Sequence, residues 1–343
     1  MIKEATAEEL AINFRAGDCD ESSSPIPCLA HLQPHILGRA RHNPCPIRES
    51  RADMTNPVVE ELVELLKLER LEDDLYRGQS RDIGTRYVFG GQVLGQALSA
   101  AQRTVEARTV HSLHAYFLRA GDIDAPIVYH VERSRDGKSF STRRVTAIQH
   151  GQQIFGLAAS FQIDEPGAEH QISMPEVPLP EELEPPDQID PTALSHIPAK
   201  MQRWLTDKGP FEFRHVYPRD EIRRPKRPPY QHVWLRLVDR IGDEPELHRA
   251  MLAYASDFHL IGTATLPHGI SYLQPNVMMA SLDHAMWFHR PFRVDDWLLY
   301  SCDSPSTQGA RGLARGSFYT REGKLVASTA QEGLIRIIDG ERV

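Results

Sequence analysis

The sequence is poor in cysteine, has no long apolar segment and carries no excess of positive charge, and each absence excludes a class of protein. Its 343 residues include four cysteines, and three of them precede residue 50 at spacings that fit no common zinc site. We therefore expect no framework of disulfides and no metal site, and a reducing compartment. No apolar run approaches the ~20 residues that span a bilayer. The net charge of −8 gives no indication of a basic surface that would bind nucleic acid.

We also expect no secretory signal at the amino terminus. Its first ten residues, MIKEATAEEL, contain acids and no apolar core. Residues 1–53 have no periodic apolar pattern, and we interpret them as a disordered or loosely attached extension. The folded part is expected to begin with a helix at TNPVVEELVELLKL, where Asn56 is a possible N-cap and Pro57 takes the first helical position.

Two motifs of cofactor binding and catalysis are missing as well. Gly90, Gly91 and Gly95 do not form the G-x-G-x-x-G of a dinucleotide site, and we expect no cofactor. There is no G-x-S-x-G elbow, which removes support for a serine hydrolase. Cys302 is the one cysteine outside the amino-terminal extension, and we interpret it as structural.

The sequence does contain one unit that occurs twice. A helix rich in small residues, Val88–Val105, is followed by strand-like runs with hairpin turns between them. A second helix, Glu246–Ala264, is followed by a similar series of strands. The same spacing separates the same pair of residues in both units: Arg119 and Tyr129 in the first, Arg290 and Tyr300 in the second. The chain is therefore interpreted as a tandem repeat.

These patterns predict an α+β protein. A long helix of small residues wrapped by an antiparallel sheet is the hotdog arrangement, and two of them in one chain make a double hotdog. The predicted boundaries are residues 54–165 for an N-terminal hotdog, 166–224 for an extended Pro-rich linker and 225–338 for a C-terminal hotdog.

Several segments, in order, resemble the acyl-CoA thioesterase II family. They are RGQS, VFGGQVLGQAL, HSLHAYFLRAGD, RDGKSFSTRRVTAIQ, YASDFHL, SLDHAMWFHRPF and ASTAQEG. The resemblance extends from about Leu62 to Arg336 and implies an enzyme that hydrolyses fatty acyl-CoA to fatty acid and coenzyme A. It also implies acyl-CoA as the small-molecule partner, no nucleic acid, no membrane span, and homo-oligomers that are dimers or tetramers of double hotdogs.

Three polar residues of the second unit lie at positions that the patterns mark as buried or at the border of burial. Asp257 falls at the edge of the apolar stripe of the second helix, while Ser256 points away from it. Gln331 lies on the buried row of the last strand, where an unpaired amide costs about 1–3 kcal/mol. Ser281 and His284 fall on opposite faces of one strand. The patterns alone also allow a solvated carboxylate, a structural amide and an ordinary strand serine.

The resemblance assigns these residues a role. Members of this family use an aspartate on the second helix, a serine or threonine at the start of the DH strand and the glutamine of QEG to hold and activate a water molecule. These positions are Asp257, Ser281 and Gln331 in this sequence. Gln162 matches Gln331 in the first unit, but Asp257 has no counterpart there, so we expect one catalytic site, in the C-terminal hotdog. His284 recurs as His114, which favours structural roles and leaves a catalytic histidine as the alternative.

The phosphates of coenzyme A require Arg or Lys side chains. The candidates, each of which also fits a solvated surface, are Arg143, Arg144, Arg311, Arg315 and the run from Arg223 to Pro228. Two other functions stay open: a different hotdog enzyme of acyl thioesters, such as a hydratase or dehydratase, and a non-catalytic acyl-CoA-binding module. The chain ends Glu341-Arg342-Val343 rather than in a peroxisomal S-K-L type tripeptide, and we expect a cytoplasmic protein of a bacterium.

Overall fold

An antiparallel sheet and two central helices dominate the part of the chain that the computed structural model describes. This part comprises residues 56–184, 208–217 and 224–338, with three single positions between 185 and 207. The predicted extension, residues 1–53, lies outside the described residues.

The first helix, α1 (Pro57–Leu66), begins where the sequence predicts. Asn56 Oδ1 accepts a hydrogen bond from the Val58 N–H at 3.1 Å, and Pro57 occupies the first helical position, where its missing N–H costs nothing. The apolar side of α1 is buried, which fixes the helix against the core.

Two units with a similar order of elements follow, and the second has one additional short helix and one additional strand. The first contains β1 (Glu69–Glu72), β2 (Leu75–Gly78), α2 (Gly90–Gln102), β3 (Thr109–Phe117), β4 (Ile127–Asp136), β5 (Phe140–Gln149) and β6 (Gln152–Gln162). The second contains β7 (Phe211–His215), β8 (Tyr230–Leu237), α3 (Pro245–Ser256), α4 (Leu260–Thr263), β9 (Val277–Ser281), β10 (Asp283–Phe288), β11 (Leu298–Gln308), β12 (Arg311–Thr320) and β13 (Leu325–Ile337). Short 3-10 turns lie at Pro180–Glu182 and Leu266–His268.

The order of strands in the sheet is nearly symmetric about its centre. It runs β1-β2-β4-β5-β6-β3-β10-β13-β12-β11-β8-β7, with β9 paired to the carboxyl-terminal part of β13. The two units meet where β3 pairs antiparallel with β10, His114 lying opposite Ala285. One helix and one set of strands are thus repeated about this pair, which confirms the predicted α+β double hotdog.

The small residues of α2 allow the two central helices to pack closely. A β-carbon at Gly91 would collide with the backbone oxygen of Tyr254, and one at Gly95 would lie 3.0 Å from the oxygen of Ala250. Larger side chains would push α2 away from α3. This contact brings the start of α2 to the end of α3.

The strands that begin each unit are not predicted by the sequence patterns. Neither β1 and β2 nor β7 and β8 were predicted, and β7 lies inside the segment 166–224 that was predicted as an extended linker. Phe211 of β7 is buried and pairs with Leu237 of β8, so the predicted linker is too long at its carboxyl end.

Part of that segment is extended but packed on the sheet. The indole N–H of Trp234 donates to the Pro178 oxygen at 2.9 Å, and the Leu325 N–H donates to Gln171 Oε1 at 3.0 Å. Met174 and Val177 pack against an aromatic cluster that includes Trp234. These contacts attach the connecting segment to the second unit.

Candidate active site

Asp257 lies where the second central helix ends. The sequence predicts one helix through Ala264, but α3 stops at Ser256 and α4 begins only at Leu260. Between them, His259 has φ 66°, a left-handed conformation that interrupts a right-handed helix. Asp257 is therefore the C-terminal cap of α3 rather than a residue on its side.

The structure brings all three predicted site residues together. Gln331 Nε2 donates to Asp257 Oδ1 at 2.7 Å and to Ser281 Oγ at 3.1 Å, and Ser281 Oγ donates to the same Asp257 oxygen at 3.3 Å. The three side chains thus form a closed triangle of hydrogen bonds. Asp257 and Ser281 are partly buried and Gln331 is fully buried.

Two strands position Gln331 and Ser281 at this carboxylate. Gln331 lies on the buried row of β13, the row that the alternation of side chains predicts. Ser281 is the last residue of β9 and lies opposite Gly333 of β13. Leu282 interrupts the run between β9 and β10, and its N–H donates to the Glu332 oxygen. This break resets the alternation of side chains between the two strands.

His284 joins the site because of that break. The sequence places Ser281 and His284 on opposite faces, yet both reach the end of α3: Ser281 bonds to Asp257, and His284 Nε2 lies 3.0 Å from Ser256 Oγ. Ser256, which was predicted to point away from the core, is fully buried. Complete burial lowers the pKa of His284 to about 4, against the opposing effect of the nearby Asp257 charge. His284 is therefore a neutral imidazole at neutral pH.

The first unit contributes the start of α2. A β-carbon at Gly90 would lie 2.6 Å from Asp257 Oδ2 and 3.0 Å from the Phe117 ring. The amino-terminal end of α2 therefore lies directly against the carboxylate of the second unit. The first N–H groups of a helix lack partners within the helix and favour negative charge. The site is thus built from both repeats.

Substituting Gly90 by alanine is expected to lower kcat by ~10²-fold, because the added methyl group must displace the Asp257 side chain and a displacement of about 1 Å can cost that much. Alanine favours a helix more than glycine does, by about 0.5–1 kcal/mol, so the fold should be kept. Steady-state kinetics and a thermal melt measure both effects. Gly167→Ala is the control, since its β-carbon would meet nothing within 4 Å. Unchanged kcat in the Gly90 variant would contradict this geometry.

A buried layer of polar groups supports the end of α3. The Tyr300 hydroxyl lies 3.0 Å from the backbone oxygen of Ser256 and 3.0 Å from Thr329 Oγ1. Burial raises the pKa of Tyr300 well above its usual value, so this hydroxyl stays protonated and can donate. Burial likewise raises the pKa of the Cys302 thiol. A buried thiol with a raised pKa is a poor nucleophile, which agrees with a structural role.

The register of the sheet identifies the counterpart of His284 in the first unit. The alignment that superposes Arg119 on Arg290 also superposes His114 on Ala285, the pair that meets at the centre of the sheet. The counterpart of His284 is therefore Leu113, which is fully buried. His114 is exposed and contacts the Trp287 ring at 5.3 Å between ring centroids. The predicted equivalence of the two histidines is wrong by one residue.

The same register changes the predicted counterpart of Gln331. Ala158 of β6 lies opposite His114, as Ala330 of β13 lies opposite Ala285. The residue that corresponds to Gln331 is therefore Ala159, not Gln162. Gln162 lies at the end of β6, where it donates to Glu165 at 3.0 Å.

Burial and pairing separate the predicted phosphate ligands. Arg143 is buried and donates to Thr104 Oγ1 at 2.8 Å, so it cannot reach a ligand. Arg311 and Arg315 are each ion-paired to an acidic residue on a neighbouring strand. Among the described residues, the candidates that are exposed and have no ion pair are Arg144 and Lys226.

Within the described ranges, no three or more His, Cys, Asp or Glu side chains are grouped so that they could hold a metal ion. No helix in the same part of the chain is both long enough and apolar enough to cross a membrane.

Two family models match the chain. The one described as acyl-CoA thioesterase matches residues 207–334, and the one described as acyl-CoA thioesterase N-terminal domain matches residues 78–162. These two ranges contain α2, α3 and all three residues of the hydrogen-bonded triangle.

Individual relatives match over most of the chain. Acyl-CoA thioesterase 2 of Haemophilus influenzae is 42% identical over 280 residues, which are 81% of this chain and 98% of that protein. Human acyl-coenzyme A thioesterase 8 is 43% identical over 282 residues, or 80% of this chain and 88% of that protein. The crystal structure of an acyl-CoA thioesterase II from Mycobacterium marinum superposes with a TM-score of 0.66 at 42% identity, covering 81% of this chain and 99% of that one.

Proposed function

The chain belongs to the acyl-CoA thioesterase II family, and from this premise we propose that it hydrolyses fatty acyl-CoA to a free fatty acid and coenzyme A by direct attack of a water molecule. The observation that carries the proposal is the triangle of Asp257, Ser281 and Gln331 at the end of α3. It combines a carboxylate with two polar groups that hold it in one orientation, which general base catalysis requires.

Asp257 is the proposed base. Both protons of the Gln331 amide nitrogen are used, one on Asp257 Oδ1 and one on Ser281 Oγ, and the Ser281 hydroxyl also donates to Asp257 Oδ1. Oδ1 is thereby fixed, and Oδ2 is left to accept a proton from water. The hydroxide equivalent attacks the thioester carbon, and the proton held by Asp257 then passes to the leaving thiolate of coenzyme A.

The start of α2 is the proposed site for the developing oxyanion. The N–H groups of Gly90 and Gly91 are the first two of the helix, where intrahelical partners are lacking. Asp257 Oδ2 lies 2.6 Å from the place that a β-carbon of Gly90 would take, so the carboxylate is at the end of α2 that carries these donors. Preorganised backbone donors of this kind stabilise tetrahedral intermediates of acyl transfer. This arrangement gives the first unit a role in catalysis although it lacks a triangle of its own.

Release of free thiol from palmitoyl-CoA is the first test. Hydrolysis predicts thiol release at a rate that depends on the enzyme concentration, and a panel of acyl chain lengths and of coenzyme A and carrier-protein thioesters then defines the substrate. A hydratase would instead consume an enoyl thioester without releasing thiol. A binding module would retain acyl-CoA and release nothing. Cytoplasmic location and homo-oligomers stay predictions, which fractionation and light scattering can check.

Substitution of Ser281 distinguishes an orienting hydroxyl from a nucleophile. Ser281→Thr keeps the hydroxyl and should retain kcat within ~10-fold, whereas Ser281→Ala removes a partner of both Asp257 and Gln331 and should lose ~10²-fold. Ser328→Ala is a matched control, since the Ser328 hydroxyl bonds to the exposed His289 outside the triangle. An acyl-enzyme at Ser281, trapped and found by mass spectrometry, would replace water attack with a covalent mechanism.

A further inference from the structure

The contacts of His284 favour one tautomer of its neutral imidazole. Ser256 Oγ donates its single proton to the Ala253 oxygen at 2.8 Å. A hydroxyl that donates there accepts in its contact with His284 Nε2 at 3.0 Å, and in this arrangement Nε2 carries the proton. A neutral imidazole with its proton on Nε2 has a bare lone pair on Nδ1.

Nδ1 is one of two buried acceptors without a partner in this site. Neither His284 Nδ1 nor Gln331 Oε1 has a hydrogen-bond partner among the described residues, although both atoms are buried. The pairing of β10 with β13 ends at Ala285 and Ala330, so the next position in register places His284 beside Gln331. A buried polar group without a partner costs about 1–3 kcal/mol. Each of the two atoms therefore lacks a proton donor, and the register makes their residues neighbours.

The fold does not require a histidine here. The corresponding position in the first unit is Leu113, which is as fully buried as His284 and lies on the same central pair of strands. An apolar side chain thus fills this place in the unit that lacks the triangle. The imidazole occurs in the unit that has Asp257.

We propose that His284 is a further residue of the hydrolytic site, which holds the attacking water through Nδ1. The water has two protons; one passes to Asp257, and His284 Nδ1 together with Gln331 Oε1 receives a hydrogen bond from the other. This second bond directs the oxygen lone pair at the thioester carbon. Ser256 acts through His284 as a positioning residue, because its hydroxyl keeps the proton on Nε2. The inference rests on the proposed function.

Three variants separate this role from a structural one. His284→Leu copies the first unit and should keep the melting temperature while kcat falls by ~10²-fold. His284→Asn places an amide oxygen near the position of Nδ1 and loses the bond to Ser256. His284→Gln places an amide nitrogen near Nε2, keeps that bond and lacks the acceptor. We expect the Asn variant to exceed the Gln variant in kcat by ~10-fold or more, with KM changed little in either.

Two results would overturn the inference: wild-type kcat in His284→Gln, or the reverse order of the Asn and Gln variants, since a structural role would favour the variant that keeps the Ser256 bond. The ¹⁵N spectrum of the wild-type protein, with His284 assigned through its shift in Ser256→Ala, gives a test that needs neither activity nor a stable His284 variant. A bare Nδ1 supports the inference, and a protonated Nδ1 contradicts it. If the wild type released no thiol from any thioester, the proposed function itself would fail, whatever the tautomer.

Discussion

Asp257→Asn is expected to lower kcat by ~10²–10⁴-fold, the usual contribution of a general base, while the fold and the binding of acyl-CoA are kept. The asparagine oxygen can still accept the hydrogen bonds that Gln331 and Ser281 make to Asp257 Oδ1. The triangle should therefore survive. The amide NH₂ takes the place of Oδ2, where it cannot accept the proton of the water.

The measurement is single-turnover thiol release together with acyl-CoA binding by calorimetry. Asp303→Asn is a matched control, because Asp303 is an exposed carboxylate whose ion pair with Arg315 lies on the surface, where such a pair contributes little. Turnover near the wild-type rate in Asp257→Asn, with an intact fold, would exclude Asp257 as the base.

Much of the fold could be predicted from the sequence because its determinants are local. Asn56 and Pro57 specify the start of α1 through one side-chain cap and one fixed backbone angle. The hairpin between β5 and β6 has His150 and Gly151 at φ 49° and 73°, as its turn sequence suggests. The repeat itself is visible in the spacing of Arg119 and Tyr129. Each of these signals involves residues that are near one another in the chain.

The parts that could not be predicted depend on pairing over long distances in the sequence. β7 is a strand of only five residues, too short for its alternation to stand out, and its Phe211 pairs with Leu237 and is buried there. The break between α3 and α4 contains His259 in a left-handed conformation, which is uncommon for residues other than glycine. The counterpart of His284 is fixed by the register of two strands, and a shift of one residue reverses which face a side chain occupies.

The candidate site shows the same division. The resemblance identified Asp257, Ser281 and Gln331 as separate positions, and the structure brings their side chains together. The resemblance gave no role to Gly90 or Ser256, because nothing in the sequence indicates that the start of α2 meets the end of α3. The one available signal was the run of small residues in α2, which indicates close packing without naming the partner helix.

Gln331→Glu is expected to leave weak activity with the acid limb of the pH–rate profile moved to higher pH. The change preserves size but places a second carboxyl group at the position of Nε2, which lies 2.7 Å from Asp257 Oδ1. Two carboxylates this close do not ionise independently, and their repulsion raises the apparent pKa of the pair. Hydrolysis needs an ionised base, so raising this pKa means that activity is lost at a higher pH on acidification.

Gln331→Ala should be nearly inactive without such a shift, because it removes both bonds that orient Asp257 and Ser281 and adds no charge. Gln162→Glu supplies the control for a new carboxylate, since Gln162 bonds only to Glu165 at the end of β6 and its variant should keep the wild-type profile. Full pH–rate profiles of the wild type and the three variants decide the matter. Full activity and an unshifted acid limb in Gln331→Glu would place Gln331 outside the reacting groups, because an acid beside the proposed base cannot leave its ionisation unchanged.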